Sequence, residues 1–231
     1  MHQNDCVVPI NEAIVTNVCG DGDCPFHGML FFTYHDDYTH DLKTPRARTL
    51  REMTCKYMQN NPEDKHGHTA NFTEHSGEIT FQQECIQNFR ELDAGREFSE
   101  RKVPLYTQFL RIEHLNEFEK YLAIMSQTSE YPSLVKVCAV SRVMEVNTVV
   151  LNHHENQQVL EPLACYRYPN TDNCICILLH RAHFYAVLPN KGDVRSWVES
   201  KFGYNHERIS YSTWRSGLFH QSNLLKQLIY G

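Results

Sequence analysis

Basic residues are in short supply. Lys plus Arg number 22 against 28 for Asp plus Glu in 231 residues, a formal net charge of -6. Nucleic-acid binders usually advertise a basic face, so no nucleic-acid partner is expected. Glycine (10) and proline (9) are sparse as well, which excludes collagen-like and low-complexity chains. The longest apolar runs, such as Cys174 to Leu179, fall far short of a bilayer span. The opening Met1 to Cys6 lacks a basic region followed by an apolar stretch, so neither a secretory leader nor a membrane partner is expected. There is no internal repeat and no long linker. What is present is 41% hydrophobic and 22% charged residues, enough apolar material for a core and too little charge for disorder. A monomeric globular chain of one domain with appendages fits this length.

Nine cysteines make an odd number without the spacing of a disulfide framework. Without a leader, the simplest compartment is reducing and cytoplasmic, with free thiols. Cys55, Cys85 and Cys138 lie in helical stretches and read as small buried apolar residues. Asn71-Phe72-Thr73 matches a glycosylation acceptor, which has no meaning outside the secretory route. The 14 histidines raise the question of metal. Cys174-x-Cys176 with His180 and His183 is the nearest approach to a ligand cluster. Structural zinc sites pair a cysteine knuckle with a second, well-separated pair, whereas Cys174 and Cys176 sit in a run that reads as a buried strand. No metal and no organic cofactor is expected.

Residues 24–34 are apolar between polar flanks and read as a short, mostly buried helix. A second helix is predicted from Thr44 as cap and Pro45 in the first turn, with Leu50, Met53, Tyr57 and Met58 at helical spacing. Asn60-Asn61-Pro62 ends it. Residues 63–80 are polar and read as a loop, and 81–92 as helical. Phe118, Tyr121, Leu122 and Met125 mark another helix; Ser133 can cap the next, with Leu134, Val137, Cys138 and Ser141 on one face. From Val146 the pattern turns β-branched: strands are predicted at 146–151, 159–167, 174–179 and 183–188, the last two as an antiparallel hairpin. Helices first and strands after argue an α+β fold rather than a doubly wound sheet. The stretch from 190 onward is expected to pack on the domain 1–189 or to begin something longer.

The sharpest local signal is Gly20-Asp21-Gly22-Asp23-Cys24-Pro25. A Gly/Asp turn leads directly into an apolar helix. Proline at the first helical position would place Cys24 at the N-cap, where the positive end of the helix dipole favours a thiolate. The turn could also offer backbone N–H groups to a developing oxyanion. An ordinary loop–helix junction capped by a small residue would look the same. A cysteine nucleophile needs a base brought close in space. His183, opening the strand His183-Phe184-Tyr185-Ala186-Val187, is the best placed of the histidines, and His180 its nearest rival.

Asp21-Gly22-Asp23-Cys24 resembles the Asp-Gly-(Asp or Asn)-Cys signature of the ovarian tumour (OTU) family of cysteine deubiquitinases. The strand at His183 resembles that family's terminal His-aromatic-x-x-Val. Thr49-Leu50-Arg51 resembles its Leu-Arg helix, and 118–140 its two helices around the loop Glu130-Tyr131-Pro132-Ser133. The likeness runs from about Ile14 to Pro189. It implies a papain-related fold with helices around a small, mainly antiparallel sheet, and cleavage after the C-terminal glycine of ubiquitin or a ubiquitin-like modifier. By the same resemblance Cys24 is the nucleophile, His183 the base, and Asp21, Gly22 and Asp23 shape the oxyanion turn. The modifier's tail would lie between Glu130, Tyr131 and Ser133 on one side and the His183–Phe184 strand on the other.

Several positions depart from the family. Pro25 stands where Leu or Phe is usual and His27 where Arg is common. Two residues after the base the family has Asn or Asp, which orients the imidazole; here stands Tyr185, whose phenol could accept a hydrogen bond but carries no charge. Asp21 is therefore expected to matter more than Tyr185. Residues 63–105 and the tail match nothing in the pattern, a divergence similar to that of viral and bacterial members. The rival readings are a protease for a viral polyprotein, a ubiquitin-binding pseudoenzyme, and a zinc-stabilised interaction module.

Overall fold

The computed structural model of the chain describes residues 8–18, 22–34, 40–64, 79–93, 111–127, 134–154, 158–168, 171–181 and 183–202. Among the described residues, helices α1 (Cys24–Tyr34), α2 (His40–Asn60), α3 (Phe81–Asp93), α4 (Glu117–Met125) and α5 (Leu134–Met144) precede the central strands. The strands β3 (Asn147–His154), β4 (Val159–Tyr166), β5 (Cys174–His180) and β6 (His183–Pro189) follow, then helix α6 (Val194–Phe202). Two short N-terminal strands, β1 (Val8–Pro9) and β2 (Ala13–Thr16), complete a sheet of order β1-β4-β3-β5-β6-β2. All neighbours are antiparallel except β3 and β5. The α+β class and the mainly antiparallel sheet expected from sequence are therefore present. Because β1 and β2 follow each other in the chain yet pair with opposite edges, residues 8–16 curl the sheet toward closure.

Helix α1 is apolar all round and is buried accordingly, as a helix without a polar face must be: every residue from Cys24 to Leu30 is buried. Helix α2 carries the buried stripe Ala47, Leu50, Arg51, Thr54, Cys55 and Met58, with Met53 and Tyr57 only partly buried beside it. It begins at His40, earlier than its proline implied, so Pro45 lies within it and not at its start. The first four N–H groups of a helix have no partner, so a proline in the second turn forfeits a single bond. The end at Asn60 is as the sequence implied, with Asn61 donating from its side chain to the Tyr57 carbonyl at 2.8 Å.

Helix α4 starts on a reciprocal capping box between Asn116 and Glu119, and Arg90 of α3 pairs with Glu117 in its first turn at 2.7 Å. Helix α5 is buried from Val135 through Ser141, Lys136 included, and not on one face only. Its Ser141 donates to the Val137 carbonyl at 2.6 Å and meets Thr148 of β3 at 2.7 Å. Tyr166 of β4 donates to the Leu134 carbonyl at 3.0 Å. The helices thus cover one face of the sheet. On the other face α6 lays Trp197 and Val198 against Val149, Leu151, Cys176 and Val187. Residues 194–202 of the C-terminal stretch therefore pack on the sheet.

Cys55, Cys85 and Cys138 are free and buried in α2, α3 and α5. Burial pushes the Cys138 thiol up to about 12, and desolvation with neighbouring thiols raises Cys174 and Cys176 as well. These groups are protonated packing residues at neutral pH.

β4 ends opposite Thr148 and β5 begins opposite Asn147, so the β4–β5 connection passes the N-terminal end of β3 and sets β5 parallel to it. Buried Asn147 holds it there. Its side-chain NH₂ donates to the Thr171 carbonyl at 3.0 Å and its oxygen accepts from the Tyr168 N–H at 3.0 Å. Asn147→Ala would strip both partners inside the fold. It is expected to lower the unfolding free energy in urea by about 1–3 kcal/mol; a loss below about 0.5 kcal/mol would show that water replaces these bonds freely.

Candidate functional site

The junction of 22–27 is built by one buried arginine. Gly22 has φ of 89°, a left-handed conformation that only glycine takes without strain, and the chain turns there into α1. The Asp23 carbonyl accepts from the His27 N–H at 2.9 Å, so Asp23 and not Cys24 caps the helix. Cys24 is its first residue and Pro25 its second. Proline fits equally well at that position, since its missing N–H belongs to the unpaired first turn. Cys24 is 2% exposed.

Arg51 is fully buried in the apolar stripe of α2. Its Nε donates to Asp23 Oδ1 in an ion pair from which water is excluded, and one Nη donates to the Gly22 carbonyl. The other Nη donates to the carbonyls of Met125 at 2.9 Å and Gln127 at 2.6 Å. The guanidinium lies 5.1 Å from the Phe26 ring centroid. Lys136, also buried, adds a contact of 3.3 Å to the Met125 carbonyl. Two cations therefore serve carbonyls at the C-terminal end of α4, where the helix dipole is negative. Asp23 sits where an anion is favoured, at the N-terminal end of α1. The start of α1, the middle of α2 and the end of α4 are fixed to one another through a single side chain.

Helix α1 packs on β6 and β5, with Gly28 facing Ile177 closely enough that a Cβ would stand 3.4 Å from it. At the opening of β6, His183 presents its imidazole on the same face as Tyr185. The two rings meet edge to face with centroids 4.6 Å apart. His183 Nε2 lies 3.2 Å from Asn17 Oδ1, just beyond the end of β2. Burial holds the His183 imidazole below the ordinary histidine value; a hydrogen bond to the Val18 backbone opposes this, and His27 of α1 reinforces it. His27 is fully buried three residues after Cys24, so its influence on His183 ties the α1 start to the β6 start.

Of the residues singled out from sequence, Gly22, Asp23 and Cys24 share the α1 junction, and His183 and Tyr185 share one face of β6. Phe184 does not join them. Alternation along the strand turns its side chain into the core at 1% exposure, which leaves only its backbone for a ligand. Asp21, Glu130, Tyr131 and Ser133 lie outside the described residues. His180 instead packs against His153, ring centroids 5.3 Å apart. Among the described residues no group of three or more His, Cys, Asp or Glu is placed to hold a metal ion, and no helix is long and apolar enough to cross a membrane. Asn17 escaped sequence reasoning: a polar residue shortly before a Gly/Asp turn looks like any loop asparagine.

The family model for OTU-like cysteine proteases matches residues 19–187, from the α1 junction to the middle of β6. The chain belongs to that family. Solved structures to which the chain is similar include the viral OTU domain protease from Taggert virus, at 12% identity over 81% of this chain and 86% of that one, TM-score 0.47. The corresponding protease from Dera Ghazi Khan virus has 12% identity over 80% and 86%, TM-score 0.48. An OTU deubiquitinase from Wolbachia pipientis wMel, bound to ubiquitin, has 14% identity over 78% and 97%, TM-score 0.38. Among curated proteins no sequence matches.

The lowered His183 value fixes a sign. The unfolded chain binds a proton near the ordinary value of 6.5, while the folded chain resists it to lower pH, so this group's stabilisation is complete above 6.5 and declines as pH falls through the interval below. A ring-proton NMR titration is expected to give His183 a midpoint under 6.5, and His183→Gln should flatten part of the acid loss of stability. A midpoint at or above the ordinary value would contradict the desolvated setting.

Proposed function

We propose that the protein is a cysteine-dependent deubiquitinase, hydrolysing the isopeptide or peptide bond after the C-terminal glycine of ubiquitin or a ubiquitin-like modifier. The observation that carries this reading is the position of Cys24 at the first residue of α1, behind a turn locked by Arg51, on a helix packed against the strand that His183 opens. Ubiquitin as substrate comes from the family resemblance. A nearly buried sulfur also suits it, because a terminal glycine has no side chain to obstruct approach.

In this mechanism the Cys24 thiol gives its proton to the neutral His183 imidazole, and the thiolate attacks the glycine carbonyl carbon. Sited at the positive end of α1, the sulfur is favoured as an anion. Backbone N–H groups at the 22–24 turn receive the developing oxyanion. The C–N bond breaks as His183 returns its proton to the leaving amine, which leaves a thioester on Cys24. Water, deprotonated by the same imidazole, attacks that thioester, freeing the glycine carboxylate and restoring the thiol. Asp21 is assigned to the same turn, and the loop of Glu130, Tyr131 and Ser133 to the modifier's tail. No cofactor takes part, and the protein acts as a soluble cytoplasmic monomer.

A ubiquitin probe with an electrophile at its C-terminus is expected to label Cys24, with the adduct lost in Cys24→Ala and site-mapped by mass spectrometry. His183→Ala should reduce turnover of linked ubiquitin by about 10²-fold or more, as for loss of a general base, whereas His180→Ala should stay close to the parent protein. Equal losses in the two histidine variants, or full activity in Cys24→Ala, would contradict the assignment. Ubiquitin binding without labelling of Cys24 would point to a pseudoenzyme, and cleavage of a viral polyprotein junction alone to a processing protease.

A further inference from the structure

Resting on the thiol-hydrolase reading above, we propose that Asn17 is the positioning residue of His183, supplied from strand β2 in place of the Asn or Asp that the family carries two residues after the base. The register of β2 against β6 places Thr16 opposite Ala186. One further residue brings Asn17 opposite Tyr185, so the side chains of Asn17, Tyr185 and His183 stand on one face. Asn17 Oδ1 approaches His183 Nε2 at 3.2 Å, within hydrogen-bond range. The tyrosine at the family's position meets the same imidazole with its ring, edge to face at 81°, so it contributes a wall while the neighbouring strand contributes the acceptor.

The chemistry follows from the amide. Its oxygen only accepts, so the ring nitrogen facing it, Nε2, carries the proton and Nδ1 of the neutral ring keeps its lone pair. An amide is also neutral. A carboxylate in its place would favour imidazolium, whereas burial and His27 on α1 favour the neutral ring against the opposing pull of the Val18 backbone bond; His180 across the hairpin on β5 and Tyr185 on β6 face the same ring without a charge of their own to favour imidazolium. Consecutive residues thus present a side-chain oxygen and a backbone oxygen to the same imidazole. Asn17 acts on the rate through His183 and touches no reacting atom.

The test combines kinetics on a ubiquitin substrate with ¹⁵N NMR of the histidine ring nitrogens. Asn17 is exposed, so its variants should fold, which circular dichroism checks. In the parent protein neutral His183 is expected to carry its proton on Nε2. Asn17→Ala should mix the two tautomers and lower kcat by roughly 10²-fold with little change in KM, the scale of a misplaced catalytic group. Asn17→Asp should recover most of kcat and move the acid limb of kcat/KM to higher pH, because the carboxylate raises the imidazole. A folded Asn17→Ala with parental kcat and an unchanged tautomer would overturn the proposal, as would a loss in Asn17→Ala that Asn17→Asp leaves unrescued. If the parent protein turns over no substrate, the hydrolase reading fails, yet the ring-nitrogen signals still decide whether Asn17 sets the tautomer.

Discussion

Everything at the α1 junction depends on a guanidinium buried from solvent. Taking a charge into the interior costs several kcal/mol even after relaxation, and a buried ion pair recovers this only if the remaining donors are also satisfied. Arg51 meets that condition through Asp23 and the carbonyls of Gly22, Met125 and Gln127, with Phe26 beneath it. The carbonyl partners lie at a helix end or a turn, where backbone groups lack partners within their own element. The arrangement is therefore selective as well as strong: a planar fork with fixed donor directions accepts one placement of the 22–24 turn. Lysine, with a single rotatable ammonium, could not reproduce it.

From that fixed point the geometry propagates through short connections. Residues 17–23 are all that separates the end of β2 from the start of α1. β2 is paired to β6, and α1 packs on the same strand. The nucleophile candidate, the imidazole and its amide neighbour thus belong to three adjoining elements whose relative positions the sheet and Arg51 set together. Holding groups in register before substrate arrives is where much of an enzyme's rate advantage originates. The pKa pattern agrees with this division of labour. Deep cysteines such as Cys138 and Cys176 are pushed up by burial, and the His183 ring is held neutral.

Much of this was legible in the sequence where local rules act alone. The Gly/Asp turn before Cys24, the stop at Asn61-Pro62 and the hairpin from β5 to β6 were readable because turn chemistry and proline operate over a few residues. The start of α2 was not, since Pro45 resembles a first-turn proline yet lies in the second turn of the helix. Lys136 would have been assigned to a solvated face; only the tertiary structure shows the Met125 carbonyl it serves. Arg51 stood out only as part of the family's Leu-Arg helix; its place in the buried line of Ala47, Leu50, Thr54 and Met58 is seen in the fold alone. The two N-terminal strands carry too few residues for any periodicity, so Asn17 lost its context with them. The parallel pairing of β3 and β5 was equally hidden, because it rests on Asn147 and a connection past the start of β3.

A double-mutant cycle on Asp23 and Arg51 tests the central claim most directly. Unfolding free energies would be measured for the parent, Asp23→Asn, Arg51→Met and the double variant. Breaking one side of a buried pair leaves the other charge stranded, so each single variant should be severely destabilised and the double variant much less than their sum. The expected coupling is about 2–3 kcal/mol, the upper range for residues in contact. A coupling below about 0.5 kcal/mol, the size found for independent sites, would mean that Arg51 does not hold the turn through Asp23.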